Sequence, residues 1–313
     1  MRVWGLLDDR SGHARQVEGI VEALGGGRYV HLAYRRRLWR PDVLAPATRT
    51  HLDPAADVEP APPWPDVVVT AGRRTAPVLR WLKRRAGAAL FGVYVMRPGS
   101  LAGIDLAAVP EHDRPPRHPR IVATIGAPHP FDRRTLDAAA SELPASARDL
   151  PRPVVTVLVG GPAHRIRFGA PEVDRLAARV DQLVRRVGGS ALVTTSRRTP
   201  AGVAARLDAL LAAPHLVHDA RSAEPNPLRA FLGAASRVVV TADSLSMMSE
   251  AAASGRPVHV FGLPGTPAKV ERLEARLAAL GHVRPWDVDT EGDIAPLNEA
   301  ARLAALIRDR LRA

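Results

Sequence analysis

Cysteine is absent from the 313 residues. Disulfides and thiolate-bound metals are therefore excluded, and a reducing cytoplasm is the expected setting. Lysine is nearly absent as well: of 44 basic residues, only Lys83 and Lys269 are not arginine. Phe, Trp and Tyr make up 4% of the chain and form no aromatic RNA-binding signature; helix-turn-helix and zinc-finger spacings are missing too. The longest weakly polar run, Ala86 to Met96, falls far short of the roughly 20 apolar residues that a bilayer-spanning helix needs. The opening Met-Arg-Val-Trp-Gly-Leu-Leu-Asp-Asp turns acidic after a short apolar run, unlike a signal peptide. A soluble, cytoplasmic protein with no nucleic-acid partner is expected.

What the chain has instead is arginine. Formal net charge is +12, shared evenly: 22 basic and 16 acidic residues lie in each of 1–150 and 151–313. An even spread makes no basic tail, but it suits anionic substrates or an anionic membrane surface. The length allows two domains with separate cores.

The most informative stretch is Arg237-Val-Val-Val-Thr-Ala-Asp-Ser-Leu-Ser-Met-Met-Ser-Glu-Ala-Ala-Ala-Ser-Gly-Arg-Pro-Val-His-Val-Phe261. Val238, Val239 and Val240 form a β-branched run suited to a parallel strand covered on both faces. Asp243 and Ser244 make a polar turn, a helix follows to about Ser254, and Gly255 and Pro257 end it before a strand from Val258 to Phe261. At helical spacing Asp243, Ser246 and Glu250 share one face, and Leu245, Met248 and Ala252 another that suits the sheet. A turn of free N–H groups cradles an anion, and a carboxylate two turns on can accept both hydroxyls of a ribose. The same residues also fit a plain βαβ unit with an N-capping turn and a solvated Glu250.

Thr241-Ala-Asp-Ser-Leu-Ser-Met-Met-Ser-Glu-Ala-Ala-Ala-Ser-Gly-Arg-Pro-Val258 resembles the hallmark of a bacterial and plant family named after a mitochondrial fission protein. That family is treated as glycosyltransferases of the GT-B fold. Leu7-Asp-Asp-Arg-Ser-Gly-His13 with Gln16, Ala71-Gly-Arg-Arg-Thr75, Val109-Pro-Glu-His-Asp113 and Leu158-Val-Gly-Gly161 agree with it in order, so the resemblance covers nearly the whole chain. It implies an α/β, GT-B-like fold: two Rossmann-like domains facing a cleft, with a C-terminal helix crossing back to the first domain. It also implies that a carboxylate on the Ser246–Glu250 helix holds the ribose of a nucleotide sugar.

The remaining pattern fits that layout. Strands are expected at Arg2–Leu7, Arg28–Ala33, Asp66–Thr70, Leu90–Val95, Asp105–Val109 and Ile121–Thr124. Val17, Ile20, Val21 and Leu24 give the first helix its apolar stripe. Gly25-Gly-Gly27 follows a helix instead of opening one, so it is no dinucleotide fingerprint. Pro130, Pro144, Pro151 and Pro153 mark an interdomain connection. A second set of strands follows at Val154–Val159, Ala191–Thr194 and Leu216–His218, with helices near 171–187 and 200–211. A last helix, Leu297 to Leu311, turns Leu303, Leu306, Ile307 and Leu311 inward. The expected domains are 1–145 joined by 290–313, and 150–289. Tyr34-Arg-Arg-Arg-Leu-Trp-Arg40 reads as a solvated basic loop or as an interfacial patch, with Leu38 and Trp39 among headgroups and Arg35, Arg36, Arg37 and Arg40 on anionic lipid.

Candidate site residues fall at strand ends, where open parallel sheets bind ligands. On the donor side these are Gly160, Gly161, Arg165, Thr195, Ser196, Arg197, Asp243, Ser244, Ser246 and Glu250. The glycines would let backbone approach a diphosphate, and the arginine forks would pair with its oxygens; His164 and Arg167 add to the first basic cluster. His13, Asp8 and Glu111 are the candidates for catalysis, with His13 as the base and Asp8 or Asp9 orienting or replacing it. Arg73, Arg74, Thr75, His112 and Asp113 would line the acceptor side. A metal signature is missing, and GT-B enzymes resemble this in neutralising the leaving diphosphate with helix N-termini and basic side chains. The expected activity is metal-independent sugar transfer from a nucleotide-diphospho-sugar to an envelope lipid or glycan, without a cofactor and with peripheral contact to an anionic membrane. A sugar-nucleotide epimerase or hydrolase and a non-catalytic membrane-associated adaptor are the alternatives.

Overall fold

The computed structural model describes residues 1–34, 47–53, 62–163, 165–287 and 294–312. The basic stretch 35–40 with Trp39, and His164, lie outside the described residues. The chain forms two compact units, one of Met1–Pro130 with Asn298–Ala313 and one of Phe131–Leu297.

The first unit begins with β1 (Val3–Leu7), α1 (Ser11–Ala23), β2 (Arg28–His31), β3 (Val67–Ala71), α2 (Ala76–Ala86), β4 (Phe91–Val95), β5 (Leu106–Pro110) and β6 (Ile121–Thr124). Its strands make one parallel sheet in the order β2-β1-β3-β4-β5-β6. Because side chains alternate across a strand, Val67, Val69 and Ala71 enter one core layer and Val68 the other. Both faces being covered explains why β3 reads as an unbroken apolar run. Pro77 pre-sets the first turn of α2, and Gly87, at φ +65, ends it.

The second unit contains α3 (Arg133–Ala139), α4 (Ala145–Arg148), β7 (Val154–Val159), α5 (Ala170–Val187), β8 (Ser190–Thr195), α6 (Val203–Leu210), β9 (His215–His218), α7 (Leu228–Ala234), β10 (Ala235–Thr241), α8 (Leu245–Ala253), β11 (Val258–Phe261) and α9 (Ala268–Ala279). Its strands are also parallel, in the order β11-β10-β7-β8-β9. This is a doubly wound half-sheet, with its switch point between β7 and β10.

Residues 130–152 are not the bare connection their prolines suggest. Asp132 and Thr135 cap α3 reciprocally, and α3 packs so closely on α7 that a Cβ at Gly233 would lie 2.0 Å from the Leu136 carbonyl oxygen. The segment is part of the second unit. The chain then returns to the first unit as α10 (Glu299–Arg312). Leu303, Ala304 and Ile307 complete a core layer there with α1 and the sheet; each fully buried leucine or isoleucine contributes roughly 1.5–3 kcal/mol. Leu311, expected inward, is 40% exposed, and arginines along the helix tie it to the unit instead. Arg302 donates to the Ala123 carbonyl at 2.6 Å, Arg308 to that of Ala23 at 2.7 Å and Arg310 to that of Pro119 at 2.8 Å. Among the described residues, no helix is long and apolar enough to cross a membrane.

Candidate functional site

In the second unit, the loops after β7 and β10 meet at the switch point around the Asp243 carboxylate, whose side chain is fully buried. Its Oδ1 accepts from the Thr241 hydroxyl at 2.6 Å, and its Oδ2 from the Gly161 N–H at 2.9 Å and from Arg198 at 2.8 Å. Thr241 in turn accepts from the Gly160 N–H at 2.8 Å, and Arg198 also donates to the Gly161 carbonyl at 3.2 Å. A Cβ on Gly160 would stand 2.0 Å from Asp243 Oδ2, and one on Gly161 2.2 Å from the Arg198 carbonyl oxygen. Internal contact by itself thus requires both glycines.

Asp243 itself departs from its expected place. It precedes the N-cap Ser244, whose side chain accepts from the Met247 N–H, so it does not share the helix face of Ser246 and Glu250. Those two do pair, Ser246 Oγ donating to Glu250 Oε1 at 3.3 Å. Glu250 is 1% exposed, one turn below the start of α8. Thr195 and Ser196 build the neighbouring loops: Thr195 joins Asp219 and the Ala220 N–H, and Ser196 joins Thr199. Arg165 and Arg197 are exposed on the surface of those loops. The guanidinium set into the switch point is Arg198, 43% exposed, the last residue of the basic Thr195–Arg198 cluster from which Arg197 was chosen as the candidate. A buried carboxylate two residues past a neighbouring strand was the one signal that could have found it. Beside Ala242, at the carboxyl ends of β10 and β11, a cavity of about 330 Å³ is lined by Arg175, Leu263, Thr266, Glu271 and Glu274. Burial, and then the Glu271 charge, pushes the Glu274 carboxyl above its ordinary value.

In the first unit, the switch point falls between β1 and β3. Asp8 follows β1 with its side chain 2% exposed, and its Oδ2 lies 2.9 Å from His13 Nδ1 on the first turn of α1. Asp8 Oδ1 accepts from the Arg10 N–H at 3.0 Å, so the carboxylate is fixed on both sides. With Nδ1–H donating to Asp8, Nε2 is the nitrogen that can take a proton. Gly72, at φ +91 after β3, makes room for this pair: a Cβ there would stand 2.6 Å from His13 Nδ1.

Arg74 is already paired within the unit. It donates to both Asp9 oxygens at 2.8 Å and lies 3.7 Å over the Tyr34 ring, which stacks on His51. The hydrogen bonds from Arg74 hold the Asp9 carboxyl below its ordinary range, and burial pushes the Tyr34 hydroxyl up. Thr75 is fully buried and donates back to the Ala71 and Gly72 carbonyls, so it shapes the turn instead of lining a site. Arg73 is exposed. Glu111, His112 and Asp113 form a 3-10 turn after β5 with His112 buried. Three strand spacings separate β5 from β1, about 14 Å, so Glu111 is not part of the Asp8–His13 arrangement. Among the described residues, no group of three His, Asp or Glu side chains could hold a metal ion.

Two doubly wound parallel sheets, each gathering its polar residues at a switch point, place the chain in the GT-B fold class. It is similar over its full length to UDP-GlcNAc 2-epimerase from Neisseria meningitidis bound to UDP-GlcNAc, with a TM-score of 0.51 and 13% identity covering 100% of that chain. It is similar also to the spinosyn forosaminyltransferase SpnP, with a TM-score of 0.51 and 15% identity over 100% of this chain and 95% of that one. At such identities the likeness is one of fold. Within that class, the chain belongs to the mitochondrial fission ELM1 family, whose pattern matches residues 11–311. The mitochondrial fission protein ELM1 of Arabidopsis thaliana is 31% identical over 278 residues, which span 80% of this chain and 64% of the plant protein. An uncharacterised protein of Rickettsia prowazekii is 24% identical, with 100% of this chain and 99% of that protein covered. The family and the fold class expected from the motifs are both borne out.

Proposed function

We propose that this protein is a metal-independent glycosyltransferase that takes a nucleotide-diphospho-sugar as donor and an envelope lipid or glycan precursor as acceptor, working in the cytoplasm at the inner face of the membrane. The observation that carries this reading is the switch point of the second unit: a buried Glu250 one turn into α8, the helix N-terminus at Ser244, and the tethered Arg198. Glu250 suits the ribose hydroxyls, which donate to a carboxylate. The α8 N-terminus and Arg198 suit the diphosphate. The cavity beside Ala242 gives room for the sugar. The epimerase of the same fold, which holds UDP-GlcNAc, supports a nucleotide sugar as the ligand class.

His13 is the base in this scheme. Its Nε2 removes the proton of an acceptor hydroxyl, whose oxygen attacks the anomeric carbon as the bond to the diphosphate breaks. Asp8 holds the tautomer that leaves Nε2 free and steadies the imidazolium that forms. The departing diphosphate takes the bonding electrons, and its charge is met by N–H groups and Arg198 without a divalent ion. Arg73 and the 111–113 turn border the acceptor.

Thermal-shift screening against nucleoside diphosphates and sugar nucleotides tests the donor half; Glu250→Gln should remove the shift that the best ligand produces. Donor consumption that requires an added lipid or glycan fraction identifies transfer. Consumption without an acceptor identifies the epimerase or hydrolase instead, and no nucleotide binding at all leaves the non-catalytic adaptor.

A further inference from the structure

Away from both switch points, the first unit carries an arginine–tryptophan cluster that sugar transfer does not use. Trp81, Arg84 and Arg85 sit at i, i+3 and i+4 of α2, where Trp81 packs at the margin of the core that holds Val78, Leu79 and Leu82 and the two arginines are exposed. Arg85 and Arg49 lie over the Trp81 ring at 5.5 and 5.0 Å, and Trp64 meets its edge at 6.5 Å. Both tryptophans are partly exposed, Arg84 and Arg85 are exposed, and so are Pro62 and Pro63 just before Trp64 and Ala88 and Ala89 just after α2. Lys83 is occupied by Asp105 at 2.7 Å. The helix holds four basic residues and no acidic one. Its dipole accounts for basic residues in the last turn and the core margin for the inner side of Trp81, but neither accounts for Arg49 arriving from another segment to meet the ring.

We propose that this surface docks on an anionic phospholipid bilayer. Arginines laid along an indole keep their charged ends at headgroup depth while the ring and the small apolar residues settle at the acyl boundary. Three guanidiniums without a carboxylate on the helix match a negative leaflet. A single-stranded nucleic acid fits less well, because its bases stack on open ring faces and guanidiniums already cover that of Trp81. The proposal stands apart from the donor site, since none of these residues belongs to it.

Flotation with extruded vesicles, either phosphatidylcholine alone or phosphatidylcholine with phosphatidylglycerol, tests it on the full chain. Wild type should float with the phosphatidylglycerol vesicles at low salt and not with the neutral ones. Arg84→Glu/Arg85→Glu should lower the vesicle partition constant at least about tenfold, at roughly fivefold per charge near the surface, with its UDP affinity unchanged and its melting temperature lowered only by the lost helix-dipole and ring contacts of the two arginines. Arg84→Gln/Arg85→Gln should give a smaller loss and serves if the reversal disturbs folding. Brominated lipid should quench tryptophan emission in wild type and less in Trp64→Phe/Trp81→Phe. Equal flotation with neutral vesicles overturns the proposal, as does undiminished quenching in the Phe variant. So does flotation lost through Arg35–Arg37 substitutions but kept in Arg84→Glu/Arg85→Glu, or binding of an RNA oligonucleotide by a protein that ignores both vesicles.

Discussion

Replacing Asp243 by Asn separates a strut from a ligand. The carboxylate is wholly enclosed and receives three hydrogen bonds, from Thr241, Gly161 and Arg198. Asn keeps one acceptor oxygen, which at the Oδ2 place still serves Gly161 and Arg198, but its amide then turns donors toward the Thr241 hydroxyl that also donates. The charge-assisted Thr241 bond is lost, at about 1.5–3 kcal/mol, and the hydroxyl proton left behind adds part of a desolvation cost. A loss of about 2–4 kcal/mol follows, which for a unit of this size lowers the melting temperature by roughly 4–16 °C. Scanning calorimetry on Asp243→Asn measures it. UDP affinity, read by titration calorimetry, should fall by less than about tenfold, because Asp243 acts on a nucleotide only by steadying Arg198. Glu250→Gln should instead weaken UDP by about 1–3 kcal/mol, the range for a charged hydrogen-bond partner. An Asp243→Asn protein that melts like wild type yet no longer binds UDP would refute the reasoning and make Asp243 a direct ligand.

His13→Ala should cut donor turnover about 10²–10⁴-fold while leaving UDP affinity intact; normal turnover would move the base to Glu111, His112 or Asp113. Gly72→Ala should lower both stability, by at least about 1–2 kcal/mol for its left-handed backbone, and turnover, because the new methyl would press on His13 Nδ1; an unchanged pH–rate profile and rate would contradict the packing. Because the Asp9 carboxyl is held low when folded, its pairing with Arg74 stabilises above the ordinary Asp value near 4 and is lost as pH falls through the lowered one. Urea titrations of wild type and Arg74→Gln should therefore differ at pH 7 and converge in acid; a gap that widens in acid would reverse the sign. Turnover should survive EDTA, and rescue of a chelated enzyme by Mn²⁺ or Mg²⁺ would remove the metal-independent mechanism.

The strands were legible because their burial is local in sequence: the Val67–Val69, Val154–Val159 and Val238–Val240 runs are apolar on both faces, and each became a central strand. The α8 turn was legible for a similar reason, since Ser244, Gly255 and Pro257 punctuate it. What escaped was set by distant partners. Helix α7 is seven residues long and owes its place to α3 and to the Thr156 hydroxyl, which donates to the Phe231 carbonyl across 75 positions at 2.6 Å. Residue type alone gave Arg74 and Thr75 an acceptor role, yet Asp9 claims the first and a backbone turn the second. Arg197 and Arg198 are alike as letters; only the buried Asp243, 45 positions on, tells them apart.

The arginine clips of α10 have a bearing on synthesis. The second unit is one unbroken piece of chain, 131–297, so all its partners have left the ribosome together. The first unit is split: Leu303, Ala304 and Ile307 fill a core that residues 1–130 leave open, and Arg308 closes the last turn of α1 by binding the Ala23 carbonyl. Vectorial synthesis therefore completes the later-coded unit first. The earlier one, with Asp8 and His13, must hold an uncovered apolar layer until residues 299–312 emerge, so ribosome stalling just before residue 299 would release chains with a finished second unit and an unfinished first one.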